Sequence, residues 1–209
     1  MYERLILAGS GGQGIMTISK VLARAAMLSD LNCTYFPSYG TEVRGGTANC
    51  QVIISDEEIY SPIVEAADTL FAMNDPSYRR FRMQLKPGGL LVVNTSMAKV
   101  DETDARGQKP EARGQRAEAG NPKPETRNPK PDVLAIPASE LANGLGDVRV
   151  ANTILLGAYN ARRKIVADDL LFEQLSYAFG GLTGRLLALN RAAYQAGAQY
   201  GGAGVGDRG

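Results

Sequence analysis

The start of the chain most constrains what it can fold into: an apolar run, a glycine loop and a helical apolar period follow one another within residues 4–26. Residues 4–8 (Arg-Leu-Ile-Leu-Ala) read as a short buried strand. Gly9-Ser10-Gly11-Gly12-Gln13-Gly14 breaks it, and from Ile15 apolar residues recur with helical spacing at Ile18, Leu22, Ala25 and Ala26. Glycines permit the tight turn and a close approach to the backbone. The helix N-terminus beyond them offers N–H groups and a partial positive charge to an anion. The other reading of the loop is a tight turn that holds no ligand.

The alternation continues. Strands are expected at 33–36 (ended by Pro37), 48–55, 69–73, 90–94 after a Pro87-Gly88-Gly89 turn, and 133–136. Asn74-Asp75-Pro76-Ser77 has the chemistry to open a helix. Later helices are expected from Ser139 to about Gly144, from a cap at Asn152, from Asp168 or Asp169, and over Arg185–Tyr200. The segments 33–36 and 48–55 lie too close for a crossover helix, so that pair should be antiparallel. The expected fold is therefore α/β: one Rossmann-like domain with a mixed, mostly parallel sheet and helices on both faces.

Residues 105–132 depart from this pattern. They divide into four degenerate sevens, hold five of the ten prolines and contain no apolar residue larger than Ala. Without an a/d seam they form no coiled coil, and they bury too little to order themselves. Residues 1–100 and 133–200 are thus read as one domain, 101–132 as a disordered tandem-repeat insertion and 201–209 as a flexible tail.

Composition narrows the chemistry. Histidine and Trp are absent, which removes the commonest general base and metal ligand. Net charge is +1, so no global field favours nucleic acid or an anionic membrane. Cys33 and Cys50 sit in apolar surroundings outside any Cys-x-x-Cys pair and read as buried structural thiols, with no metal site. No apolar run approaches a membrane span, and no leader precedes the first strand; the expected location is cytoplasmic. Arg79-Arg80-Phe81-Arg82 reads as a solvated helix face, and Arg162-Arg163-Lys164 as favourable charge at a helix C-terminus.

A second loop, Pro37-Ser38-Tyr39-Gly40-Thr41-Glu42-Val43-Arg44-Gly45-Gly46, follows a strand end, where α/β proteins place ligands. Glu42 and Arg44 can pair with each other, or Arg44 can face a phosphate or carboxylate. A nicotinamide site is disfavoured, because no acidic residue stands at the end of the second strand.

The two loops in order resemble the gamma subunit of 2-oxoacid:ferredoxin oxidoreductases. The likeness continues through Val52-Ile53-Ile54-Ser55, Ile59, Ser61-Pro62, Ile136-Pro137-Ala138, Ala151-Asn152, Leu155-Leu156-Gly157 and Leu189-Asn190-Arg191-Ala192-Ala193. That resemblance implies a complex that oxidatively decarboxylates a 2-oxoacid with coenzyme A and passes two electrons to ferredoxin, nearest the 2-oxoglutarate type. It implies thiamine diphosphate and iron–sulfur clusters in partner subunits, none held by this chain, and no activity for the chain alone. By resemblance, coenzyme A meets Gly9, Ser10, Gly11, Gly12, Gln13 and Gly14, together with Ser38, Tyr39, Gly40, Glu42, Arg44, Gly45 and Gly46. The glycine loop would present amides, Arg44 charge, Glu42 a hold on Arg44, and Tyr39 a packing surface. No catalytic residue is assigned. A stand-alone Rossmann-like nucleotide-binding or regulatory module and a pure scaffold are the competing readings.

Overall fold

Strand β1 (Tyr2–Ser10) runs through the middle of the molecule and alternates its side chains between two faces. Leu5 and Leu7 enter one apolar cluster, Ile6 and Ala8 the other. The computed structural model describes residues 1–39, 47–101, 104, 129–179 and 184–202. On one side β1 pairs antiparallel with β3 (Thr47–Ser55), which pairs antiparallel with the edge strand β2 (Asn32–Tyr39). On its other side β4 (Ala67–Ala72), β5 (Leu85–Asn94) and β6 (Asp132–Ile136) follow in parallel. The order is β2-β3-β1-β4-β5-β6, and among the described residues β3 alone opposes the rest. The mixed sheet and the antiparallel pair agree with the sequence reading.

The first face carries α1 (Ile15–Met27), α3 (Ala138–Leu145), α4 (Ala151–Arg163), α5 (Asp168–Ala178) and α6 (Gly184–Gly202). Ile18, Leu22, Ala142, Ile154, Leu155, Leu171 and Ala193 form their common core. The second face carries α2 (Asp75–Phe81), through Tyr78 and Phe81, with Val64 and Ala98 from connecting segments.

Several expectations change. Pro37 does not end β2, which continues to Tyr39; an edge strand tolerates a missing N–H. Pro87-Gly88-Gly89 lies inside β5, opposite a slip in register between Ala67 and Thr69. Ser139 and Asn152 lie within the first turns of α3 and α4, not at their caps, and their side chains bond elsewhere. Gly201 and Gly202 belong to α6 and not to a tail.

The arginine runs also have partners. Arg82 pairs with Asp101, Arg79 with Asp75 at 2.6 Å, and Tyr78 donates to Asp104. Arg162 reaches Asp132 at 2.7 Å, and Arg163 lies 3.5 Å from the largely buried Glu3. Asp101, Asp104 and Asp132 lie inside the span read as insertion, so its flanks are tied to the domain at both ends. Of that span 102–103 and 105–128 fall outside the described residues, as do 203–209 of the tail.

Helices α4 and α6 approach through glycine. A β-carbon at Gly157 would stand 2.2 Å from the Tyr194 carbonyl oxygen, and one at Gly197 would stand 1.8 Å from that of Ile154. Neither helix can yield without uncovering the core. Gly197→Ala should therefore cost about 1–3 kcal/mol by overpacking. Gly202→Ala, whose β-carbon would meet nothing within 4 Å, should stay within about 0.5 kcal/mol of wild type. Urea unfolding of the two variants checks the contrast.

Candidate functional site

The C-terminal end of the sheet is where the chain gathers its buried amides. After β1 it turns to the first face through α1; after β4 it turns to the second through α2. The gap between β1 and β4 is thus a topological switch point, where open α/β sheets bind ligands. Gly9–Gly14 leaves one strand there and Asn74 leaves the other.

Gln13 folds back over its own loop. Its Oε1 accepts from the Ser10 amide at 2.7 Å and from Asn74 Nδ2 at 2.9 Å, while its backbone N–H reaches the Ser10 carbonyl at 3.1 Å. Asn74 Nδ2 also donates to Ser10 Oγ at 2.8 Å, and its Oδ1 caps α2 by accepting from the Ser77 amide at 2.9 Å. The Ser10 amide is therefore already used, whereas Gly11 and Gly12 are exposed. A β-carbon at Gly9 would stand 2.8 Å from Gln13 Oε1, so a side chain there would displace the fold-back.

Gly14 has φ +72°, a conformation that favours glycine, and its carbonyl accepts from Asn152 Nδ2 at 3.3 Å. Asn152 is buried, and its Oδ1 accepts from the Thr153 amide at 2.7 Å; Thr153 Oγ1 in turn donates to Asn190 Oδ1 at 3.2 Å. At the end of β5 the fully buried Asn94 donates to Ser139 Oγ at 2.9 Å and accepts from the Ser96 and Ser139 amides. A row of asparagines thus holds the ends of β4 and β5 and the starts of α1 to α4. The sequence reading of the site included none of these asparagines.

Of the second loop, Ser38 pairs with Asn49 and Tyr39 with Ala48. Thr47, the first residue of β3, pairs with Ser10, so β2 ends and β3 begins at the same end of the sheet as the glycine loop. Arg80 donates to Thr47 Oγ1 at 3.1 Å. Gly40, Glu42, Arg44, Gly45 and Gly46 lie outside the described residues.

Titratable groups are sparse here. Arg79 beside Asp75 holds that carboxyl below its usual range. Burial pushes the Cys50 thiol up to about 11 and raises Cys33. Both are free thiols, and neither is an activated nucleophile. Among the described residues no group of three or more His, Cys, Asp and Glu could hold a metal ion, and no helix is long and apolar enough to cross a membrane.

Residues 4–200 match the family model described as pyruvate ferredoxin/flavodoxin oxidoreductase. This chain belongs to that family. Among curated relatives, the ketoisovalerate oxidoreductase subunit VorA of Methanothermobacter thermautotrophicus is 30% identical over 198 residues, 94% of this chain and 36% of the relative. The 2-oxoglutarate synthase subunit KorC of Methanothermobacter marburgensis is 41% identical over 103 residues, 49% of this chain and 55% of the relative. The chain thus spans between about a third and about half of the length of these family members. Two solved structures share the fold. A keto/oxoacid ferredoxin oxidoreductase gamma subunit from Geobacter sulfurreducens superposes with TM-score 0.72 at 24% identity, over 96% of this chain and 97% of that one. The 2-oxoglutarate:ferredoxin oxidoreductase of Magnetococcus marinus, with 2-oxoglutarate, coenzyme A and succinyl-CoA bound, gives TM-score 0.73 at 24% identity, over 96% of this chain and 31% of that one.

The asparagine row gives a direct test. Asn74→Ala removes the α2 cap and both donors to the glycine loop, and should lower stability by about 1–3 kcal/mol. Asn74→Ser keeps a capping oxygen and should fall between Ala and wild type. The urea midpoints of the three proteins decide it.

Proposed function

We propose that this chain is the gamma subunit of a cytoplasmic 2-oxoacid:ferredoxin oxidoreductase of the 2-oxoglutarate type. The complex would convert 2-oxoacid, coenzyme A and two oxidised ferredoxins to acyl-CoA, CO2 and two reduced ferredoxins. The family match over residues 4–200 carries the reading. It is supported by the fold shared with nearly the whole of a solved gamma subunit. The 2-oxoglutarate preference draws on the KorC relatives, at 41% identity over half of this chain; the VorA relatives match more of it at 30%.

Thiamine diphosphate and iron–sulfur clusters belong to partner subunits in this reading. Cys33 and Cys50 lie on neighbouring strands, and burial raises both thiols. The chain's own contribution is to the coenzyme A side. Gly11 and Gly12 offer backbone without side chains at the switch point, Gln13 holds the turn, and α1 directs its N-terminus towards the loop. Ser38 to Gly46, with Arg44 as the charge and Glu42 as its partner, completes this side.

Purification of the tagged chain from its host under anaerobic conditions tests the reading. A thiamine-diphosphate-binding subunit and an iron–sulfur subunit should accompany it, and the complex should turn over 2-oxoglutarate with kcat/KM at least about tenfold above 2-oxoisovalerate. Recovery of the chain by itself would remove the subunit reading; the reverse preference would reassign the substrate. Within the complex, Arg44→Ala should lower coenzyme A-dependent turnover and leave assembly intact. Deletion of 105–128 should change neither assembly nor turnover, because we propose that the repeat is a passive insertion.

A further inference from the structure

The turn after β5 reaches the glycine loop through one side chain, that of Met97. Its sulfur accepts a hydrogen bond from Gln13 Nε2 at 3.5 Å, 84 residues away along the chain. The backbone of Met97 is pinned on both sides. Its N–H donates to the Asn94 carbonyl at 3.0 Å, and its carbonyl accepts from the Asp75 amide, at the start of α2, at 3.0 Å. Asn94 is fully buried, and the Asp75 carboxylate accepts from the Lys99 amide at 3.4 Å. Core packing does not account for the Met97 side chain. It is 50% exposed, whereas the next residue, Ala98, enters the second-face core.

The contact completes the placing of Gln13. Two donors, the Ser10 amide and Asn74 Nδ2, converge on Oε1 and decide which end of the carboxamide is oxygen. Both act at one atom, so they leave the amide plane free to swing about it. The bond from Nε2 to Met97 supplies the further point that fixes the plane. Nε2 carries two hydrogens; one goes to Met97, and the other has no partner among the described residues. A thioether suits this place. It is a weak, polarisable acceptor on an unbranched side chain that adapts to its surroundings.

We infer that Met97 is a positioning residue: its sulfur fixes the plane of the Gln13 carboxamide and so presents the second Nε2 hydrogen as a donor beside Gly11 and Gly12. The use of that donor in coenzyme A-dependent turnover rests on the subunit reading above; the placing of the carboxamide does not.

Two variants separate the acceptor from the bulk of the side chain. Met97→Leu keeps the volume and removes the acceptor; Met97→Gln keeps the reach and offers an amide oxygen. In the full chain by itself, the NMR order parameter of Gln13 Nε2 should fall in Met97→Leu and be retained in Met97→Gln. In the anaerobic complex, Met97→Leu should raise KM for coenzyme A about threefold to tenfold with kcat held within about twofold, and Met97→Gln should recover the wild-type KM to within about twofold. A residue that only fills space gives the opposite order, because Leu replaces Met more closely than Gln does. That opposite order, an order parameter unmoved in Met97→Leu, or an unmoved KM in an assembled complex overturns the inference. If no complex assembles, the subunit reading fails, and the order parameter decides whether Met97 positions Gln13.

Discussion

There is no room for a side chain at Gly14, and the arrangement of the sheet's functional end follows from that. A β-carbon there would stand 2.1 Å from Asn152 Nδ2. Moving Asn152 aside would break its hydrogen bonds to the Gly14 carbonyl and the Thr153 amide, and Gly14 at φ +72° favours glycine in any case. The turn between β1 and α1 is therefore shaped by helices 138 residues further along the chain. Its hydrogen bonds run across elements: Gln13 to Asn74, Gly14 to Asn152, Thr153 to Asn190. Buried amides are tolerated when each finds a partner, and a satisfied network of this kind fixes one arrangement of the elements it joins.

Much of this fold was legible because periodicity and turn chemistry are local. The apolar runs placed every strand of the sheet, and the short gap before residue 48 gave the antiparallel pair. What the sequence hid was side-chain destination. Asn and Ser cap helices, but the same groups also reach across the structure. Asn74 does both, whereas Ser139 and Asn152 reach across without standing at a cap. Nothing in the adjacent residues distinguishes those cases. The charge runs mislead for a related reason. Arg82 looks solvated beside its chain neighbours, yet its acid, Asp101, lies in a flank of the repeat, which composition assigns to disorder; Arg162 and Arg163 do stand in the last turn of α4, and Asp132 in the other flank is a further partner of Arg162.

The candidate site divides the same way. Its glycine loop was legible as a motif because strand, turn and helix must be consecutive for that geometry to exist. The family likeness at Ala151-Asn152, Leu155-Leu156-Gly157 and Asn190 carried no stated role in the sequence. The structure supplies one: these residues support the loop from behind, through hydrogen bonds and through close helix contact. The second loop carries the charges the motif reading relied on; of the residues that flank them, Thr47 stands beside Ser10, and Ser38 and Tyr39 lie one strand further out against Asn49 and Ala48.

The same domain occurs at two extents among its relatives. It makes up nearly all of a solved gamma subunit and about a third of the VorA chain. For one sequence pattern to serve in both settings, its core must close without help from the added chain. Among the described residues the first sheet face is covered by five helices, and the second by α2 with Val64 and Ala98 filling the space that a short helix leaves. Apolar burial of this kind supplies most of a domain's stabilisation. The features open to a partner or ligand are then the ones that core packing does not use. The exposed glycines of the turn, Gly11 and Gly12, are of that kind.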